Sequence, residues 1–178
     1  MLGRERRQER RQERREHRPT RYQMREKVFA IGDDYWITDD SDRRVFKVNG
    51  KALRLRQTFI IEDPNGTDLI KIQSRPIHIR DAMEIEDLAT GRSAKVKKAL
   101  ISPLRDRFVV AIDGSGEWRV KGNILEHEYE VESDQGKVAE VSKQWFRIRD
   151  SYGIAVEPDQ EDALVIAVAV CLDEMAHG

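Results

Sequence analysis

Eight basic residues pose the first chemical question. Arg54 and Arg56 stand two apart, as do Lys95 and Lys97 with Lys98 beside them, and Arg105 and Arg107, while Arg80 lies between these groups. Side chains two apart on a strand share a face. The spacing therefore sets rows of ammonium and guanidinium groups on outward strand positions. Such rows can hold phosphate groups, because hydrogen bonds from Lys or Arg to phosphate are charge-assisted. Nearby segments carry acids, Glu84 with Glu86 and Glu128 with Glu130 and Glu132. Water-exposed cross-strand ion pairs are the competing and commoner reading of such a pattern.

Other chemistry is thin. The chain has no nucleophile elbow, P-loop, dinucleotide fingerprint or zinc spacing. Its histidines, His17, His78, His127 and His177, are scattered, and Cys171 is its one cysteine. No metal site, cofactor or catalytic residue is expected, and a non-enzyme is favoured. Gly114-Ser115-Gly116 reads as a hairpin turn rather than a phosphate loop.

The elements that would position these groups follow from periodicity. Ala163 to Leu172 are all apolar, between Asp162 and Asp173. A helix apolar all round is buried in a core or a membrane, and about 20 such residues are needed to span a bilayer. The run predicts a core helix over residues 159–175, with Asp159 as N-cap. Upstream, Leu53, Leu55, Phe59 and Ile61 alternate with polar residues. So do Ile77, Ile79, Met83 and Ile85, then Phe108, Val110 and Ile112, then Trp118 and Val120, then Tyr129 and Val131. Period two marks antiparallel strands with one buried face. Turn signals recur between them, among them Asn49-Gly50, Asp63-Pro64-Asn65-Gly66, Thr90-Gly91 and Asp150-Ser151-Tyr152-Gly153. About twelve short strands without a long helix among them predict a sandwich or barrel. A barrel of that size needs filling, and the apolar helix is the one candidate. The expected fold is mainly β, a closed antiparallel barrel around a buried C-terminal helix. Trp36, Trp118 and Trp145 read as core or rim aromatics.

Charge is uneven along the chain. Of 178 residues, 37% are charged, yet the net charge is -1. Residues 1–21 hold nine Arg and four Glu, leaving the remainder near -6. The unit Glu-Arg-Arg-Gln repeats from Glu5 and Glu9 and offers no apolar stripe for docking. This arm, residues 1–21, is expected to be a solvated helix or disordered. A basic arm for nucleic acid or anionic lipid is the functional reading, and interleaved Glu weighs against it. A lone cysteine and no signal-peptide pattern point to a reducing cytosol, peripheral to a membrane if lipid is bound.

Several stretches resemble the LURP-one-related family, a relative of the Tubby C-terminal domain and, more distantly, of phospholipid scramblases. They are Lys27-Val-Phe-Ala-Ile-Gly-Asp-Asp-Tyr-Trp-Ile37, Phe46-Lys-Val-Asn-Gly50, Gly122-Asn-Ile-Leu-Glu-His-Glu-Tyr129, Val138-Ala-Glu-Val-Ser-Lys-Gln-Trp-Phe146 and Asp150-Ser-Tyr-Gly-Ile154. The strongest is Glu161-Asp-Ala-Leu-Val-Ile-Ala-Val-Ala-Val-Cys-Leu-Asp173. The resemblance covers residues 22–176 and implies a twelve-stranded barrel around a C-terminal helix. It brings no catalytic residue. Tubby's phosphoinositide binding implies that the basic row, Arg54, Arg56, Arg80, Lys95, Lys97, Lys98, Arg105 and Arg107, meets anionic phospholipid head groups. The scramblases carry a proposed calcium segment, onto which Asp150-Ser-Tyr-Gly-Ile154 falls. Ile148 stands where a further carboxylate belongs, and a hard cation wants six or more oxygens, so no calcium site is expected.

The residues and the resemblance together point to a non-enzymatic binding or scaffold protein. Its expected partners are an anionic membrane surface or other proteins. The rival is a small-molecule carrier or enzyme using a barrel cavity, which the apolar helix would fill. Nucleic-acid contact through the arm is the weakest alternative.

Overall fold

The structure, a computed structural model, describes residues 18–25, 34–53, 56–74, 82–100, 106–146 and 150–177. The first six strands are β1 (Thr20–Arg25), β2 (Tyr35–Asp39), β3 (Arg44–Leu53), β4 (Arg56–Glu62), β5 (Asp68–Ser74) and β6 (Ala82–Asp87). The next six are β7 (Ser93–Leu100), β8 (Asp106–Ile112), β9 (Gly116–Asn123), β10 (Glu128–Ser133), β11 (Gly136–Ser142) and β12 (Ser151–Val156). Each strand pairs antiparallel with the next, and β12 pairs with β1, so the sheet closes into a barrel. One helix, α1 (Asp162–His177), follows.

Period two in the sequence becomes inside and outside in the barrel. Ile37, Val48, Ile61, Ile72, Ile85, Val96 and Val110 are buried on inward positions. Every residue of α1 from Leu164 to Leu172 is buried against them in one contiguous cluster. The apolar run is thus the packing that a closed barrel requires of its lumen. No helix among the described residues is long and apolar enough to cross a membrane.

Three local expectations are corrected. Helix α1 begins at Asp162, not Asp159. Asp159 sits at φ 68, a left-handed conformation rather than the extended one an N-cap needs, and the first turn closes from Val165 N–H to the Glu161 carbonyl. Asn49-Gly50 is not a hairpin but the middle of β3. There Gly50 pairs with Phe59, and Asn49 donates its Nδ2 to Glu62 Oε1 at 3.0 Å. In the stretch Asp150 to Gly153 only Asp150 turns, at φ 60, and β12 takes up the rest. Gly153 is needed for a different reason. A Cβ there would lie 2.7 Å from Phe146 Cε2 and 2.8 Å from Trp145 Cε3. Those two rings close over the outer face of β12, whose inner face meets the core. All six of its residues are therefore buried. Leu55, Ile77 and Ile79 of the predicted apolar set lie outside the described residues.

The barrel has two unlike ends. The rim, where α1 begins, carries the β2–β3, β4–β5, β6–β7, β8–β9 and β10–β11 turns, the segment 157–161 and the start of β1. The base, where α1 ends, carries the β9–β10 turn and the β11–β12 connection. Three rim turns use one device. Asp39 Oδ1 accepts the N–H groups of Ser41 and Arg43, Asp63 Oδ1 those of Asn65 and Thr67, and Asp87 Oδ1 those of Ala89 and Thr90. An aspartate closing a turn onto its own backbone explains these acids without a ligand.

Candidate functional site

The expected basic row divides on inspection. Strand order sets β4 to β8 side by side, as a row would need. Arg54, Arg80 and Arg105 lie outside the described residues, and the strands place Arg56 and Arg107 only by backbone. Lys95 reaches Glu84 at 3.4 Å on the outer face, beside Lys71 with Glu86 at 3.7 Å. Lys97 is exposed and makes no ion pair among the described residues. Lys98 stands on the other face, in register with buried Phe108, so it cannot belong to the same outward row. The acids of the neighbouring segments are engaged too. Lys137 bonds Glu130 at 2.9 Å and Glu140 at 3.1 Å, which raises its pKa, and Lys121 pairs with Glu132. Glu128 instead accepts from Ser142 Oγ and Lys143 N–H, both at 3.0 Å. On the described strands the outer face is therefore largely a ladder of alternating signs.

A cleft of about 460 Å³ opens on the rim. Its walls are the β8–β9 and β10–β11 turns and the segment leading into α1, with Trp118 and Leu164 as its apolar part. Arg92 crosses one side to Glu161, Nη2 to Oε1, at 2.6 Å. Nearby, Tyr22 donates its hydroxyl to Asp162 Oδ2 at 2.5 Å. Burial and that carboxylate together hold the phenol well above its ordinary pKa, so it stays a donor.

Among the described residues, the base buries polar groups. His127 Nε2 lies 2.7 Å from Asp173 Oδ1, with both side chains almost wholly buried. The imidazole stacks on the Tyr152 ring at a centroid distance of 4.1 Å. Tyr35 lies close enough for Asp173 and Glu174 to add to burial in raising its phenol pKa. Burial, then Glu174, likewise pushes the Cys171 thiol far up, so it is neither accessible nor a thiolate. A carboxylate in the last turn opposes the helix dipole, and His127 is the group that answers it.

The family model for LURP-one-related proteins matches residues 20–173. The chain belongs to the LURP-one-related family. It is similar to the "Uncharacterized protein YxjI" of Bacillus subtilis strain 168, with 25% identity over 155 residues, covering 86% of this chain and 92% of that protein. It also superposes on a protein from Arabidopsis thaliana solved by X-ray crystallography. The TM-score there is 0.64 at 20% identity, covering 90% of this chain and 94% of the other, a likeness of fold. Neither name states an activity.

In this LURP-one-related chain, parts of several stretches that carry the resemblance meet at the base. Gly122 lies at φ 125 where a Cβ would come within 2.5 Å of the Glu128 carbonyl, letting β9 turn tightly into β10. Ile124 is buried, and His127, at φ 52, is turned inward to Asp173. Tyr152 and Gly153 arrive from the fifth stretch and Asp173 from the last. Sequence reading left His127 among scattered histidines, because its partner is 46 residues away. The one signal was Asp173, which opposes the dipole and so called for a basic partner. Asp150 is exposed at its turn, and no group of three potential metal-binding side chains occurs among the described residues.

Proposed function

We propose that this LURP-one-related protein is a non-enzymatic binding protein that meets anionic phospholipid head groups through its outer basic residues. The observation that carries the reading is the lumen filled by α1. With the interior occupied by its own helix, the chain can meet a partner only through the outside of the barrel and its ends. On that outside, Lys97 is exposed without an ion pair among the described residues, and Lys95 engages Glu84 only at 3.4 Å. The Tubby resemblance supports phosphate as the ligand chemistry. A carrier or enzyme working from the lumen is set aside on the same packing, and the one cleft described here lies on the rim.

Liposome sedimentation tests it. Vesicles containing phosphatidylserine or a phosphoinositide should retain the protein at low salt and release it as salt rises, since screening weakens exposed charge contacts. Lys95→Glu with Lys97→Glu should reduce retention several-fold. Equal sedimentation with phosphatidylcholine vesicles defeats the reading. Retention untouched by the strand substitutions but abolished by removing residues 1–17 moves the contact to the arm.

A further inference from the structure

Acidic residues are missing from one side of the barrel. Strands β12, β1 and β3 contain none, and β2 has only Asp39, which is buried and closes its own turn. These four strands are neighbours, in the order β12, β1, β2, β3. Elsewhere the outer face alternates in sign, as in Lys95 with Glu84 and Lys121 with Glu132. At the margin of the acid-free side, Asp34 and Glu62 are both engaged by Lys47.

Two arginines on this side have no carboxylate. Arg21 is exposed on β1, and its guanidinium carbon lies 5.2 Å from the centroid of the Trp145 ring. Arg44 is exposed at the start of β3, 5.0 Å from the centroid of Trp36 on β2. Neither makes a hydrogen bond or ion pair among the described residues. Each is held over an indole, where cation–π attraction keeps an unneutralised charge in place. Between the two pairs stand Gln23 and Thr38, opposite one another on outward positions of β1 and β2, half-buried and uncharged.

Trp145 lies over Gly153, which pairs with Gln23, so the indoles are two strand spacings apart, roughly 10 Å. Stacked bases repeat at about 3.4 Å. The two rings therefore suit separate, unstacked bases of one strand and not adjacent bases of a duplex. Rings beneath guanidinium groups cannot enter an acyl layer without taking those charges with them, which argues against a bilayer as the occupant.

We propose that this acid-free side of the barrel binds single-stranded nucleic acid. One base stacks at each Trp–Arg pair, as bases do on aromatic rings and guanidinium planes. The edge N–H groups of Arg21 and Arg44 donate to the flanking phosphates, and Gln23 and Thr38 face the base edges. The site lies across the barrel from Lys95 and Lys97 on β7, so it stands apart from the head-group reading.

An oligouridylate of about 12 nucleotides, within the usual length of such sites, tests it with the full chain. At low salt the anisotropy of a fluorescein-labelled strand should rise on titration with protein. An unlabelled strand should quench the fluorescence of Trp36 and Trp145, with Trp118, 7% exposed, as a constant background. Arg21→Gln with Arg44→Gln should weaken binding roughly tenfold by removing two phosphate contacts. Trp36→Leu should weaken it at least fivefold and remove part of the quenching. These side chains lie on the outer face, and an unchanged thermal midpoint would show the barrel intact. No rise in anisotropy, or binding that survives the arginine substitutions, overturns the proposal. Binding without quenching, or equal binding of a duplex of the same length, would mean that charge alone suffices, and overturns it also. Phosphatidylserine vesicles that shift the emission of Trp36 and Trp145, where the oligonucleotide does not, assign this side to a membrane and overturn it too.

Discussion

At the rim, carboxylates stand in water around the first turn of α1; at the base, two of them are buried against its last turn. The same helix therefore meets charge in two regimes. Asp159 and Glu161 at the rim lie where the helix dipole favours acids, cost no desolvation, and are free to change partners. Asp173 and Glu174 at the base lie where the dipole opposes them, at 3% and 8% exposure. Such groups persist only when surrounded by donors. The difference ties the base to holding the fold and leaves the rim carboxylates in water.

The largest break severs the two ends at once. Val168→Asp would put an unpaired carboxylate midway along α1, costing several kcal/mol against a total stability of about 5–15. Cooperative thermal unfolding should be lost or its midpoint lowered by tens of degrees. Ending the chain at Asp162 should be at least as harmful. A soluble, cooperatively melting truncation would show that the lumen does not need its helix.

The second break is at the base. His127→Ala leaves Asp173 buried without its imidazole and should cost about 3 kcal/mol in denaturant melts. Asp173→Asn keeps a hydrogen-bonding side chain and removes the buried charge, so it should cost less. In the double variant the two costs should fall short of adding, because they share one contact. By contrast Glu117→Gln and Asp159→Asn at the rim should stay within about 0.5 kcal/mol of wild type. Equal costs at the two ends would dissolve the comparison.

The core was legible in the sequence because it obeys periodicity. Ten apolar residues in a row leave a helix no wet face, and alternation in the strands fixed what that helix must pack against. The contacts that distinguish the ends were not legible in that way. Asn49-Gly50 carries the hairpin signature yet continues β3, because Gly50 adopts ordinary strand dihedrals when seven residue pairs of β3 and β4 hold it there. Lys98 was grouped with Lys95 and Lys97 by proximity, although alternation already assigns it the other face. The rim cleft gathers residues from four separated segments, and closure of the barrel, rather than any local spacing, brings them together.

Cys171 sharpens the comparison by a smaller effect. Thiol reagents should label the native protein only as fast as the base opens, and at full speed in denaturant, because burial both blocks access and disfavours the thiolate. His127→Ala should speed native labelling, whereas Glu117→Gln should leave it unchanged. Rapid labelling of the native wild type would show that the base is not closed.

The smallest expected effect belongs to a rim turn. The Thr90 and Ala89 backbone N–H groups hold the Asp87 carboxyl below its ordinary pKa, outweighing the burial that would raise it. A depressed folded-state pKa adds stability above the unfolded value, near 3.9 for Asp, and the contribution is lost as pH falls through the folded value. Asp87→Asn keeps an oxygen for the turn but removes the charge. The variant should therefore melt a few degrees below wild type at pH 7, and the two curves should converge toward pH 3. A gap between wild type and Asp87→Asn that stays constant from pH 7 to pH 3 would mean that shape, not charge, closes the rim turns. The three aspartates would then differ from Glu117 and Asp159 only in geometry.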